Sequence, residues 1–282
     1  MGDIMVNLRF MSNNIWWTNG NSSNWEAKGE DCSPEVRAKG FARTYAETAP
    51  DIIGLQEAAA MLPNHVMAEL LYQTKIPYTL LWGRDTPIIY RTDKFELVDS
   101  AHDIYSEDIS GLEGSFNNLK TKSYCIGVFR LKENGKLIIF GTTHLWYMLD
   151  SMQAGSEAAR VYQLGIFMDK IEEFKQKWGC PAVIVGDFNA KYNSDTVQSA
   201  LKRGYVHAYN LATDYKDETS GYHVCNGDRY EGFENKGSFN DSIDQFLFKD
   251  IPDGAVKRFD RFYPEYYYPL SDHFPIMVDI EY

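Results

Sequence analysis

Ala182-Val-Ile-Val-Gly-Asp-Phe-Asn-Ala190, AVIVGDFNA, drives four apolar residues into a glycine and then an Asp-x-Asn. A short, uninterrupted run of this kind reads as a buried strand. Residues two apart on a strand point the same way, so Asp187 and Asn189 are expected side by side while Phe188 turns to the core. Ending a buried strand on a carboxylate and a carboxamide suits chemistry better than packing. The first can take or orient a proton, and the second can hold an anionic oxygen.

Similar runs recur along the chain, at residues 5–12, 50–57, 86–91, 122–131, 136–146, 181–189, 242–248 and 274–282. Their lengths and β-branched or aromatic content predict strands. Helical spacing predicts helices over 35–48, 63–73 and 155–178. Asn134-Gly135 between two strand-like runs is a hairpin signal, so at least part of the sheet is antiparallel and a purely parallel, doubly wound sheet is disfavoured. Asn, Ser and Gly crowd residues 12–23, and Gly, Asn and Asp crowd 219–241; both read as long surface loops. There is no internal repeat and no dividing linker, so residues 1–282 are expected to form one domain, acting as a monomer.

Polar residues end or interrupt five other runs. They are Asn14 after the first, Gln56-Glu57, His144, Asp244 within SIDQF, and Asp272-His273 entering the last. Each alone has a structural explanation. Glu57 could favour a helix N-terminus, Asp187 and Asn189 could close a turn, His144 could sit satisfied in the core, and Asp272 could cap a turn. All six together point to one rim where strand ends converge. Asn14 and Glu57 are hard oxygen donors that suit Mg²⁺, Mn²⁺ or Ca²⁺, while His144 and His273 can move a proton or stabilise a developing charge. The inventory fits metal-assisted attack of water on a phosphate ester.

Composition bounds the partner. Lysine plus arginine number 28 against 40 aspartate plus glutamate, a net charge of −12, while 44% of the chain is hydrophobic and 15% aromatic. Such a chain can bury a large core and repels polyanions at long range. Tight non-specific nucleic-acid binding is therefore disfavoured. Cys32, Cys125, Cys180 and Cys225 show no zinc-ligand or redox spacing, and two disulfides are neither required nor ruled out. No run has the length of a membrane-spanning helix, and no leader pattern opens the sequence. Cytoplasm is the default expectation, although a secreted protein lacking its signal peptide would read the same.

In the order N-I-W at Asn14, Q-E at Gln56-Glu57, T-H at Thr143-His144, G-D-F-N at Gly186 to Asn189, I-D at Ile243-Asp244 and S-D-H-x-P at Ser271 to Pro275, the chain resembles the endonuclease/exonuclease/phosphatase superfamily. Its members include deoxyribonuclease I-like nucleases, inositol polyphosphate phosphatases, deadenylases and bacterial sphingomyelinases. The resemblance implies a deoxyribonuclease I-like α/β (α+β) fold, a four-layered sandwich of two packed mixed β-sheets flanked by helices. It implies that Asn14 and Glu57 hold the divalent ion, with Asp272 as a further or alternative ligand. Asp187 would orient or deprotonate the water and Asn189 would hold a phosphate oxygen. His144 and His273 would stabilise the pentacovalent phosphate, with Asp244 fixing the tautomer of His273; a His273–Asp244 pair is the competing general base. Thr142, where the family often has Asn, and Gln245, where an aromatic or His is common, depart from the pattern and bear on substrate choice.

For Arg37, Arg43, Arg84, Lys120 and Arg160 a solvated or salt-bridged surface position is the ordinary expectation. Lys122, which opens the strand-like run before the one ending at His144, is the candidate for substrate contact. The tyrosines of FYPEYYYP (262–269) could stack on a base or sugar, and Trp16, Trp17 and Trp25 could face lipid, but packing of these aromatics onto the sheet edge is the stronger expectation. The expected substrate is a small or medium phosphate ester, most readily a diester. A nuclease, a sphingomyelinase-like or inositol-phosphate-type enzyme, and an inactive binding scaffold are the alternatives.

Overall fold

The computed structural model describes residues 4–17, 23–58, 61–215 and 242–282. Strands β1 (Asn7–Asn14), β2 (Ile52–Gln56), β3 (Tyr78–Leu81) and β4 (Ile88–Arg91) are joined through helices α1 (Ser23–Glu26), α2 (Pro34–Thr48) and α3 (Met61–Thr74). Then come β5 (Phe95–Ile104), β6 (Ser123–Leu131), β7 (Leu137–His144), α4 (Ser156–Trp178), β8 (Ala182–Asp187), α5 (Asp195–Lys202), β9 (Val206–His207), α6 (Ala208–Leu211) and β10 (Asp214–Tyr215). The chain closes with β11 (Asp244–Lys249), β12 (Val256–Arg261), a 3-10 turn at Glu265–Tyr267 and β13 (Ile276–Glu281).

Two mixed sheets result. One has the order β10-β12-β13-β1-β2-β4-β3, with β1 parallel to β2 and antiparallel to β13; the other has β5-β6-β7-β8-β11-β9, with β7 parallel to β8. Period-two alternation divides their side chains. Phe10, Ile52, Phe140, Val183, Val185 and Phe246 fill the space between the sheets. Met11, Ile53 and Leu55 face outward onto Phe41 and Tyr45 of α2 and Val66 of α3. Ile139, Ile184 and Leu247 face the other way onto Leu164 and Phe167 of α4 and Val197 of α5. Each such buried side chain contributes roughly 1.5–3 kcal/mol of transfer free energy. Helix, sheet, sheet, helix is the four-layered sandwich expected from the resemblance.

Gly54 records how closely the sheets approach, since a Cβ there would lie 2.7 Å from Val185 and 2.8 Å from Thr142. The predicted hairpin joins β6 to β7, with Gly135 at φ 75° and Asn134 Oδ1 accepting from the Lys136 N–H. Helices α2, α3 and α4 begin and end within two residues of their expected limits.

The structure corrects several expectations. Ser12 to Asn14 belong to β1 rather than to a loop, because their polar side chains are satisfied inside the sandwich. Ser12 Oγ accepts from Gln56, and Asn13 bonds the hydroxyls of Tyr45 and Tyr267. Strands β3, β5, β9, β10 and β12 were not expected. β5 is a half-exposed edge strand carrying acidic residues, and β12 reads VKRFDR, so neither shows an apolar run. The expected loop at 219–241 and Cys225 lie outside the described residues. Cys32, Cys125 and Cys180 are free and buried. Among the described residues, no helix is long and apolar enough to cross a membrane.

Candidate active site

Between the sheets, apolar columns turn polar at one end. Phe10-Ser12-Asn14 on β1, Phe140-Thr142-His144 on β7, Val183-Val185-Asp187 on β8 and Phe248-Phe246-Asp244 on β11 each alternate inward and finish on a polar group. The strand register sets Ser123, His144, Asp187 and Asp244 in one row across β6, β7, β8 and β11. Asn14 stands on the facing sheet, opposite Gln56 in the register. The site is thus the polar end of the hydrophobic core, held by rigid strands.

Gly186, at φ 143°, precedes the central carboxylate, and a Cβ there would come within 1.9 Å of the Thr143 carbonyl oxygen. Only glycine lets β8 approach β7 so closely at this point. β8 then ends, and Asn189 adopts φ 49°. The Asp187–Asn189 pair therefore arises from a turn rather than from continued strand alternation, yet both side chains line the cleft and Phe188 is fully buried. Asp187 Oδ1 accepts the Asn189 backbone N–H at 2.8 Å, and Oδ2 accepts Asn14 Nδ2 at 3.0 Å. Asn189 Nδ2 donates to the Leu145 carbonyl at 3.1 Å.

Glu57 follows β2 in the left-handed region at φ 55°. Its Oε1 accepts Asn14 Nδ2 at 3.3 Å, while Asn14 Oδ1 accepts the Trp16 N–H at 2.9 Å. On the approach to β13, Ser271 Oγ donates to the Asn14 carbonyl at 2.7 Å and accepts the His273 N–H at 3.1 Å. Asp272 Oδ1 is buried with no hydrogen-bond partner. Burial raises the Asp272 carboxyl to about 7; His273 opposes the shift, and Glu57 and Asp187 reinforce it.

His273 Nδ1 donates to Asp244 Oδ2 at 2.7 Å, and its Nε2 lies 3.7 Å from Asp187 Oδ2. Burial works against the imidazolium, but Asp244, Asp187 and Asp272 outweigh it and hold its pKa well above 6.5. His144 is driven the opposite way by burial and by the cations Lys122 and His273, so its ring is neutral. Its Nε2 lies 2.5 Å from Lys122 Nζ and 3.5 Å from Asp187 Oδ2, and its Nδ1 lies 3.7 Å from Asp85 Oδ2. Burial lowers the Lys122 pKa against the pull of Glu57, Asp187 and Asp85. For Asp187 burial raises the pKa; His273 lowers it, Asp244 raises it and Lys122 lowers it.

One ligand atom from each of Glu57, His144 and Asp187 falls within 4.8 Å of the others, as does one from each of Asp187, Asp244 and His273. Carboxylate oxygens predominate, and the orphaned Asp272 Oδ1 is a buried acceptor of the kind a hard cation satisfies. The donor set fits Mg²⁺, Mn²⁺ or Ca²⁺. Asn14, as oriented, turns its amide nitrogen and not its oxygen toward the carboxylates.

The cleft over these groups has a volume of about 470 Å³. It brings together Glu57, Lys122, His144, Asp187, Asn189, Asp272 and His273 from the expected set, with Asp244 directly behind His273 and Asn14 beneath Glu57. Asp85, Trp17, Leu119 and Tyr147 also line it. From sequence Trp17 is a candidate only as a lipid-facing residue, and Asp85, Leu119 and Tyr147 fall in no motif. Asp85 lies in a turn before a short strand, with Oδ2 buried and without a hydrogen-bond partner and its carboxyl raised by burial to about 7.

The 262–269 aromatics pack as the stronger expectation has it, whereas two arginines depart from theirs. The 262–269 tyrosines do not line the cleft. Tyr267 is buried with its hydroxyl on Asn13, Tyr263 and Tyr268 pack on Phe274, and Tyr266 bonds Glu47 beside Arg43. Trp25 and Trp16 are buried. Arg37 and Arg160 are buried rather than solvated. Arg37 donates to the carbonyls of Ile15, Trp16, Trp17 and Leu270, and Arg160 donates to those of Trp146 and Met148 and pairs with Glu157. The two family departures are accounted for by packing: Thr142 Oγ1 accepts from Gln56 at 2.8 Å across the sheets, and Gln245 Nε2 donates to the Ala190 and Ser242 carbonyls.

Residues 12–273 match the model of the Endonuclease/Exonuclease/phosphatase family. A search of curated proteins gave no match. Among solved structures the chain is similar to an endonuclease/exonuclease/phosphatase family protein from Bacteroides thetaiotaomicron, at 21% identity over 99% of each chain and a TM-score of 0.75. It is similar also to the mannosyl-6-phosphatase Bt3783 of Bacteroides thetaiotaomicron, at 23% identity over 96% of this chain and 98% of that one, with a TM-score of 0.71. The human Nocturnin catalytic domain matches at 17% identity over 98% of this chain and 96% of that one, with a TM-score of 0.64. These likenesses speak for the fold, and the family match runs from Ser12 on β1 to His273 on the approach to β13. The chain belongs to the endonuclease/exonuclease/phosphatase family.

Proposed function

We propose that the protein hydrolyses phosphate esters of small or medium size with the help of a divalent metal ion, by in-line attack of water. One observation carries the reading: five carboxylates, a cationic His273 and a buried Lys122 converge where the two sheets open, around the single residue Asp187. Groups of both signs at this density suit a reaction in which water loses a proton while an anionic phosphate gains charge.

Glu57 and Asp272 would hold the ion, and Asn14 would join them through its oxygen after rotation of its carboxamide. When bound, Mg²⁺ or Mn²⁺ supplies a Lewis acid that neutralises phosphate charge. Asp187 is the group placed to take the proton of the attacking water, since burial raises its basicity and the Asn189 backbone N–H, donating to its Oδ1, fixes its orientation. His273 is already protonated and is better suited to stabilise phosphate oxygens than to act as the base. Asn189 has a second amide N–H for the same purpose. Neutral His144 orients Lys122, whose ammonium faces the cleft.

Among the described residues, the cleft lining offers Lys122 and the two histidines as its basic groups. Together with the net charge of −12, this disfavours a nucleic acid, which gains much of its affinity from many phosphate contacts. The mannosyl-6-phosphatase among the similar structures supports a sugar phosphate, a monoester, beside the diester expected from sequence.

The test is turnover of paired chromogenic mono- and diesters with Mg²⁺, with Mn²⁺ and with EDTA, using His273→Ala as control. Metal-dependent turnover lost in the variant is expected. Equal turnover in EDTA, or none on any ester, overturns the proposal.

A further inference from the structure

The outer wall of the cleft differs in kind from its floor. Trp17 and Tyr147 present rings that are 43% and 44% exposed, with Leu119 beside them and Asn118 and Thr121 as neutral polar neighbours. The Tyr147 ring centroid lies 5.4 Å from Lys122 Nζ, so this ring begins where the cationic end of the floor stops.

The position of Trp17 is built, not incidental. Trp16 and Trp17 both occupy the left-handed region, at φ 56° and 52°, which side chains other than glycine seldom adopt. The fully buried Arg37 guanidinium accepts the strain by holding their carbonyls, with Nη1 donating to Trp17 at 2.8 Å and Nη2 to Trp16 at 3.0 Å. The turn places Trp16 in the core and leaves the next indole at the lip. A strained turn that a buried charge fixes and that holds one indole in water is a marker of recognition.

Resting on the phosphoesterase reading, we propose that Trp17 and Tyr147 receive the alcohol half of the ester, and that this half is an uncharged ring compound carrying several hydroxyls, a sugar or cyclitol with one phosphate. Charge sets the count of phosphates. Beyond Lys122 the described outer lining has no basic side chain, and Asp85 and Glu57 flank it. A second phosphate would meet carboxylates. The apolar face of a sugar ring stacks on aromatic surfaces, and its hydroxyls find Asn118 and Thr121.

The purified protein is assayed with Mg²⁺ on a hexose monophosphate, a hexose bisphosphate, glycerol phosphate and a short oligonucleotide, with Trp17→Ala, Trp17→Phe, Tyr147→Ala and Tyr147→Phe. The hexose monophosphate should exceed glycerol phosphate in kcat/KM by about tenfold, the scale of one ring contact. Each alanine variant should erase most of that ratio through KM, and each phenylalanine variant should restore it, which separates loss of the ring from loss of folding. Faster turnover of the bisphosphate or oligonucleotide, or a ratio unmoved by either alanine variant, overturns this inference while the phosphoesterase reading stands. If no ester is cleaved, that reading fails, and calorimetry of hexose monophosphate binding decides the present one. Binding that Trp17→Ala weakens supports it, and no binding overturns it.

Discussion

Asp244 Oδ2 accepts a 2.7 Å hydrogen bond from His273 Nδ1, and this bond turns His273 Nε2 toward Asp187, 3.7 Å away. Both groups are buried, so neither charge is screened by water. Asp244→Asn keeps the shape and removes the charge that holds the imidazolium. The pKa of His273 should fall toward or below 6.5, and kcat should drop by roughly 100- to 1,000-fold, as expected for loss of a preorganised charge that stabilises phosphate oxygens. Proton NMR titration of His273 alongside steady-state kinetics reads both. An unchanged titration would mean that Asp187 and Asp272 suffice to hold the charge.

The fold was legible in the sequence where side chains alternate into a closed core. Ala182 to Val185 fixed β8, and Asn134-Gly135 fixed the β6–β7 turn. What escaped was settled by tertiary partners. Asn13 looks like loop until the hydroxyls of Tyr45 and Tyr267 reach it, and β12 looks charged until Arg261 is seen buried over Phe274 and Tyr263. The site was legible because strand ends supply it, one polar residue per strand. Asp85, Trp17 and Tyr147 come from turns whose direction depends on a distant clamp or neighbour, and no spacing in the sequence encodes that.

Metal affinity should rise with pH through neutrality. Burial raises the Asp272 carboxyl from 3.8 to about 7 in the metal-free protein, and Asp85 is raised to about 7 by the same cause. A carboxyl with a raised folded pKa binds more protons in the native state than in the unfolded one. Its contribution to stability is thus present at low pH and lost as pH rises from about 4 to about 7. Mg²⁺ competes with the proton on Asp272 and should reverse this loss. The increase in Tm given by Mg²⁺ over EDTA is expected to be small at pH 5.5 and larger at pH 8, on the order of several degrees. Asp272→Asn should flatten the dependence; if it does not, Asp272 is no ligand.

Gly186→Ala adds one methyl group and should be among the most damaging changes in the core. The new Cβ would fall 1.9 Å from a backbone oxygen of β7, at φ 143°. Neither strand can move without shifting His144 or Asp187. A loss of about 3 kcal/mol or more is expected, a fall in Tm of roughly 6–12 °C. Activity measured well below the new Tm should also fall, since displacement of a reacting group by an ångström costs about 100-fold. A variant that melts lower but turns over normally would show that the strand shift spares Asp187.

Arg37 joins two segments that carry the site. Its guanidinium holds the Ile15, Trp16 and Trp17 carbonyls after β1 and, through Nε at 2.9 Å, the Leu270 carbonyl just before Ser271-Asp272-His273. Burial lowers its pKa only to about 10, so it stays charged at neutral pH. A lysine keeps the charge but not the planar fork of donors, and so cannot satisfy carbonyls on both sides at once. Arg37→Lys should therefore cost about 2–4 kcal/mol in stability, since several buried acceptors lose partners. It should also weaken Mg²⁺ binding at pH 8, because Asn14 and Asp272 lie next to the two released segments. Thermal melts in EDTA read the first effect and calorimetric Mg²⁺ titration the second. A destabilised variant with unchanged Mg²⁺ affinity would assign Arg37 to packing alone, and loss of both would make it the element that sets the distance between the two ligand-bearing segments.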